Sequence, residues 1–141
     1  MDITLASAQD QAEAIRAGRI SAVELLDATV DRYERFNPVV NAVVVERIDD
    51  ARRRAAEADT AMMVGESWGR LHGVPMTIKE SYVMANTPTT WGIEGFRHNV
   101  AKSDGLTVQR FRGNGAHFLG KTNVPVELAD FQSYNPIYGT T

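Results

Sequence analysis

The sequence predicts an α/β fold with helices packed across a sheet, and three observations support that prediction. After an opening pair of helices, segments of helical periodicity alternate with short β-branched or apolar runs, in the order helix, helix, strand, helix, strand, helix, strand, helix. The composition, 43% hydrophobic and 23% charged over 141 residues, is that of a globular domain and argues against disorder. No internal repeat, low-complexity tract or linker-like stretch divides the chain, so one domain is expected over residues 1–141.

Ser7, with Asp10 three residues on, is expected to cap a first helix that ends at Gly18 and carries Ala8, Ala12 and Ile15 on one face. Ser21-Ala22-Val23-Glu24 is a capping box opening a second helix to Asn37, where Pro38 is expected to stop it. Val23, Leu26, Val30 and Tyr33 recur there at helical spacing, with Leu25 and Phe36 widening the stripe. Asn41–Val45 reads as a β-branched strand, and Arg47–Ala61 as a helix rich in Ala, Arg and Glu that lies on the surface. Gly65–His72 reads as a loop and Met76–Ser81 as the second strand. Ala85–Asp104 is long and irregular, with Pro88, Gly92 and Gly95 as breakers, and loops of this length are often functional. A fourth helix is expected from Asp104 to Gly113–Gly115, then a strand over Ala116–Gly120. Lys121-Thr122-Asn123 should lead into a short helix, Val126–Phe131, and the last ten residues should be loop with no closing element.

A net charge of −3 without a basic stripe argues against nucleic acid as a partner. Arg52-Arg53-Arg54 is interleaved with Asp49, Asp50, Glu57 and Asp59, the pattern of a solvated helix face. The absence of cysteine excludes disulfides, thiolate metal sites and cysteine nucleophiles. The first residues carry an early acid and no apolar core of signal-peptide length, and no run approaches a membrane span, so a cytoplasmic location is expected.

Lys79 is the side chain that chemistry would most plausibly need. It ends a short apolar run in which Val74, Met76 and Ile78 share one face and Thr77 and Lys79 the other, and it opens into a loop of Asn, Thr and Pro. A lysine in such a place reaches water, pairs with a carboxylate such as Glu80, or loses its proton, and a neutral lysine is a general base. The plain structural alternative is a lysine at a strand end with its head in solvent.

Other constellations are weaker. Ser81 would share an extended face with Lys79 and could form a Ser–Lys nucleophile and base pair. His72, His98 and His117 are scattered without ligand spacing, so no metal site is expected. His72 suits the turn before Gly73, His98 a loop, and His117 a strand position. Gly115 to Gly120-Lys121-Thr122 formally matches a phosphate-loop spacing, but the intervening Ala116-His117-Phe118-Leu119 is an apolar strand, so nucleotide binding stands only as a counter-hypothesis.

The run Leu71-His72-Gly73-Val74-Pro75-Met76-Thr77-Ile78-Lys79-Glu80, followed by Thr87-Pro88-Thr89-Thr90, resembles the N-terminal part of the amidase signature family. So do Asp104 with Val108 and Arg112, Gly115–Asn123, Glu127, and Asn135-Pro136-Ile137-Tyr138-Gly139. The resemblance extends over nearly the whole chain and implies a mixed sheet packed between helices. It implies hydrolysis of a carboxamide, or amide transfer, through a Ser–cis-Ser–Lys triad, with Lys79 as the base, a backbone oxyanion hole and no metal or organic cofactor. Glu80 followed by Ser81 points to the stand-alone amidases more than to an amidotransferase subunit. The loop Asn86–Phe96, with Thr90 and Trp91, is expected to line the pocket for a small-molecule amide.

In that family the two serines stand in a Gly/Ser-rich segment beyond the Asn-Pro-x-Tyr-Gly motif. None of the six serines here (Ser7, Ser21, Ser67, Ser81, Ser103, Ser133) stands in such a segment. The expectation is therefore an incomplete amidase domain that is inactive alone, with Lys79 charged and partly solvated. The alternative is a non-catalytic interaction or assembly module that self-associates through unpaired sheet edges.

Overall fold

The computed structural model describes residues 2–141. Three elements open it. Helix α1 spans Ala8–Arg16, and Ser7 Oγ caps it by accepting from the Asp10 amide at 3.1 Å. Helix α2 spans Ala22–Val40 and starts with the expected capping box: Ser21 Oγ accepts from the Glu24 amide, and Glu24 accepts from the Ser21 amide. Strand β1 covers Val43–Glu46, two residues later at its start than expected.

Pro38 does not stop α2. It sits in the last turn on an exposed face and, lacking an N–H, forgoes only the helical bond to the Glu34 carbonyl, which is itself on an exposed residue. The helix ends three residues on at Asn41, whose left-handed backbone (φ 52°) lets its amide donate to the Asn37 carbonyl at 2.7 Å. Asn37 also clamps the next element, accepting from the Val43 amide at 2.8 Å and donating to its carbonyl at 3.0 Å.

Helix α3 spans Ile48–Met63. Its outer face is charged, as expected of a surface helix, but Ala51, Ala55, Ala58 and Ala61 form a buried stripe. Small side chains let α3 approach Leu25, Leu26 and Val30 of α2 closely, and Ile15 and Leu119 complete this cluster. Asp59 of α3 reaches across to accept from the Ala22 and Val23 amides at 2.6 and 3.0 Å, adding a tertiary cap to α2.

Strands β2 (Pro75–Lys79) and β3 (His117–Thr122) complete a mixed sheet of order β1-β3-β2, with β3 antiparallel to β1 and parallel to β2. Period-2 alternation along the central strand divides the core: Leu119 faces α2 and α3, while Phe118 packs with Ile78, Met84 and Val108 under helix α4, Leu106–Gly113. Gly120 is required by close packing, because a Cβ there would lie 2.5 Å from the Val45 carbonyl oxygen.

Four further expectations are corrected. The central strand does not end at Gly120 but runs through Lys121 and Thr122, which pair with Ile78 and Lys79. Strand β2 ends at Lys79, which leaves Ser81 in the following turn. Gly105, not Asp104, precedes α4; Asp104 instead accepts from the Ala85 amide at 2.8 Å and pairs with Arg112 at 3.0 Å. Val126–Phe131 forms no helix, only a 3-10 turn over Val126–Leu128 in which Glu127 and Leu128 are left-handed (φ 54° and 60°).

The terminal residues do close the chain. Strands β4 (Tyr134–Asn135) and β5 (Gly139–Thr140) form a small hairpin. Buried Asn135 organises it, accepting from the Ile137 and Tyr138 amides and donating to Asn123 Oδ1 and the Val124 carbonyl. Asn41 Nδ2 donates to the Tyr138 and Thr140 carbonyls, tying the hairpin to the end of α2. No helix among the described residues is long and apolar enough to cross a membrane.

Candidate active site

The site forms where the parallel strands β2 and β3 end side by side, Lys79 opposite Thr122. Alternation in the extended chain sends successive side chains to opposite faces. Ile78 is buried, Lys79 is exposed and Glu80 is buried. Lys79 therefore stands in solvent at the open end of the sheet.

Glu80, a possible partner for Lys79 by sequence, has other work. Its carboxylate accepts from the Thr90 amide at 2.7 Å, the Trp91 amide at 3.1 Å and the Tyr138 hydroxyl at 3.2 Å. Three donors converging on one buried carboxyl group suit an acceptor-only carboxylate. Burial, with the Glu80 charge beside it, pushes the Tyr138 phenol up to about 12, which keeps its proton available for this bond.

Lys121 is the group that the sequence misplaced. It is fully buried, and its ammonium donates to Thr87 Oγ1 at 3.3 Å, Thr89 Oγ1 at 3.2 Å and the Pro88 carbonyl. Three acceptors match the three N–H bonds of a protonated lysine. Desolvation pulls its pKa down to about 8, opposed by the nearby Glu80 charge. An apolar run ending in Gly-Lys-Thr, with a Thr-Pro-Thr-Thr loop elsewhere in the chain, was the signal available for this contact.

Thr90 and Trp91 behave differently. Thr90 is buried, and its hydroxyl accepts from the Gly92 amide at 3.1 Å. Trp91 is 45% exposed on a left-handed backbone (φ 54°), and its carbonyl accepts from the Glu127 amide at 2.8 Å. The turn containing Glu127 and Leu128 thus braces the Trp91 turn, and left-handed backbone at non-glycine residues is concentrated in this corner.

The remaining candidates are dispersed. Ser81 has left the strand, so the extended geometry that would align it with Lys79 is lost. His72 is a structural tie: Nδ1 accepts from the Trp68 amide at 3.0 Å and Nε2 faces the Ala58 carbonyl at 3.1 Å. His98 is exposed in its loop. His117 is buried in β3, where desolvation and Arg54 lower its pKa to about 4. Among the described residues no group of three His, Cys, Asp or Glu is gathered for a metal ion. Lys121 is spent on the 87–89 backbone and threonines inside the sheet, so Gly120-Lys121-Thr122 forms no phosphate loop.

The chain as a whole has counterparts among known proteins. The Amidase family profile matches residues 24–141. An indoleacetamide hydrolase of Bradyrhizobium diazoefficiens is 40% identical over 135 residues, which is 96% of this chain and 26% of the relative. An acylamidase of Rhodococcus erythropolis is 36% identical over 135 residues, 96% of this chain and 28% of the relative. The solved structure of a fatty acid amide hydrolase superposes with a TM-score of 0.93 at 31% identity, over 99% of this chain and 25% of its own. The chain thus spans about a quarter of the length of the relatives it matches. With the motif around Lys79, the mixed sheet and the family profile in agreement, the chain belongs to the amidase signature family.

Proposed function

We propose that this chain supplies the base lysine of a cytoplasmic amidase that hydrolyses carboxamides through a Ser–cis-Ser–Lys triad, and that the two serines and the oxyanion hole come from polypeptide outside these 141 residues. The observation that carries the reading is Lys79, exposed at the end of β2 within the family motif and beside a braced loop. In this reaction the Lys79 side chain takes a proton, through the bridging serine, from the nucleophilic serine. The serine oxygen attacks the amide carbon, backbone N–H groups hold the oxyanion, and the proton returns to the departing amine. Water then attacks the acyl-enzyme by the same proton route. Thr90 and Trp91 belong to the substrate wall, Trp91 through its open indole and Thr90 through the backbone it fixes.

Two assays test this. Residues 1–141 alone are expected to turn over neither aryl nor aliphatic amides; turnover removed by Ser81→Ala would move the nucleophile into this chain. A chimera in which 1–141 replaces the matched quarter of the Bradyrhizobium indoleacetamide hydrolase is expected to hydrolyse amides and to lose at least about a thousandfold in kcat/KM on Lys79→Met. A folded chimera indifferent to that substitution overturns the role of Lys79.

A second reading, an assembly module, has its own support. Both β1 and β2 are outer strands, and an apolar groove is lined by Phe36, Val40, Thr77 and Leu119. Sedimentation of 1–141 discriminates: concentration-dependent dimers favour this reading, and a monomer across the range removes it.

A further inference from the structure

Glu80 and Lys121 hold consecutive residues of one loop. Lys121 takes Thr87, Pro88 and Thr89, and Glu80 takes Thr90 and Trp91. The two charges approach from the ends of adjacent parallel strands, and both are fully buried. A loop needing only to be ordered could be held by backbone pairing, and part of this one is: the Thr89 amide donates to the Asn99 carbonyl at 2.9 Å, and the Ala101 amide to the Thr87 carbonyl at 3.0 Å. Lys121 reinforces that same stretch, while Glu80 acts beyond it, at Thr90 and at Trp91, the one residue of the loop that couples a left-handed backbone to an open aromatic side chain.

We propose that Glu80 and Lys121 are positioning residues of the amidase site, which fix the strained Trp91 backbone so that its indole forms a rigid wall selecting bulky, aromatic amides over small aliphatic ones. This rests on the reading of Lys79 and its end of the sheet as the amidase site. The left-handed backbone at Trp91 is strained for a residue that carries a Cβ. It is met on one side by the Glu80 carboxylate at the Trp91 amide and on the other by the Glu127 amide at the Trp91 carbonyl. The carboxylate is the one acceptor that can serve the amides of residues 90 and 91 together. A carboxamide at position 80 would turn an NH2 group toward one of those N–H donors. Lys121 holds the preceding three residues, so the 90–91 peptide cannot relax by shifting the loop along its length.

The test has two parts. In 1–141, hydrogen exchange is followed residue by residue. Glu80→Gln is expected to speed the Thr90 and Trp91 amides at least about tenfold while the α2 and α3 amides keep their rates. In the chimera with the indoleacetamide hydrolase remainder, Glu80→Gln and Trp91→Ala are each expected to raise KM for aryl amides about tenfold or more, and KM for small aliphatic amides by a clearly smaller factor. Exchange that stays slow at both amides in Glu80→Gln overturns the clamp, and KM values that rise by the same factor for both substrate classes overturn the wall. Should Glu80→Gln fail to fold, Tyr138→Phe, which removes only the third donor to Glu80, carries the exchange test: selective speeding at residues 90 and 91 supports the clamp and uniform speeding refutes it. A chimera inactive for want of Lys79 chemistry would count against the proposed function alone, because the exchange readout does not depend on turnover.

Discussion

Lys79 and Lys121 end neighbouring parallel strands, one residue apart in register, and meet opposite fates: Lys79 stands in solvent while Lys121 is fully buried on three acceptors. The side chain that the sequence singled out stays exposed, and the one expected beyond the strand secures the 87–89 loop.

That contrast predicts unequal mutational costs. Lys79→Met is expected to change stability by no more than about 0.5 kcal/mol, as for an exposed surface position. Lys121→Met leaves Thr87, Pro88 and Thr89 without their donor and Glu80 without its neighbouring charge, and is expected to cost about 3–5 kcal/mol. Urea unfolding of the two variants, followed by circular dichroism, measures both, and equal costs would refute the division of roles.

His117 makes stability depend on pH below neutrality. It is 1% exposed, neither ring nitrogen has a partner among the described residues, and its pKa falls to about 4 from 6.5. Below pH 6.5 the unfolded state binds the proton and the folded state does not, so this contribution is present above 6.5 and is lost as pH falls toward 4. The loss is on the order of 3 kcal/mol. Arg47, Arg54 and Arg112 line the same cavity as cations, and its one carboxylate, Asp50, is already paired with Arg47 and Arg53. Chemical denaturation between pH 4 and 7 should show a slope that His117→Gln flattens.

Asp59 caps α2 from another helix, so Asp59→Ala should leave the Ala22 and Val23 amides unsatisfied. A loss of about 1–2 kcal/mol is expected, with faster exchange confined to the first turn of α2. An unchanged urea midpoint would show that the capping box suffices.

Asn135 carries four hydrogen bonds that fold the 134–140 hairpin onto Asn123 and Val124. Asn135→Ala is expected to cost about 2–4 kcal/mol. The hairpin also delivers Tyr138 to Glu80, so the variant should speed exchange at Thr90 and Trp91 as well. Loss of stability without that second effect would separate the hairpin from the site.

The sequence was most legible where a local rule and the tertiary structure agree. The Ser21–Glu24 box, the α2 stripe through Val23, Leu26, Val30 and Tyr33, the strand before Lys79 and the apolar run of β3 appear as expected, although Phe36 stays exposed. It was least legible where a residue acts through partners distant along the chain. Pro38 proved compatible with α2 because only an exposed turn surrounds it. Asp104 had the chemistry of a cap, yet Ala85 and Arg112 claim it. The terminal segment has no hydrophobic period to announce it, because polar bonds from Asn135, Asn123 and Asn41 hold its hairpin.

By itself the sequence determined the α/β class, the order of the main elements, the motif around Lys79 and the family, since periodicity, capping chemistry and motif spacing are properties of adjacent residues. Only the tertiary structure decided that Lys79 is open, that Lys121 is buried, and that Glu80 turns from its neighbour toward residues 90 and 91. The physical reason is desolvation. Whether a charge stays in water or must gather donors and acceptors depends on which strands flank it and which loop covers it, and those lie 10 to 58 residues away along the chain.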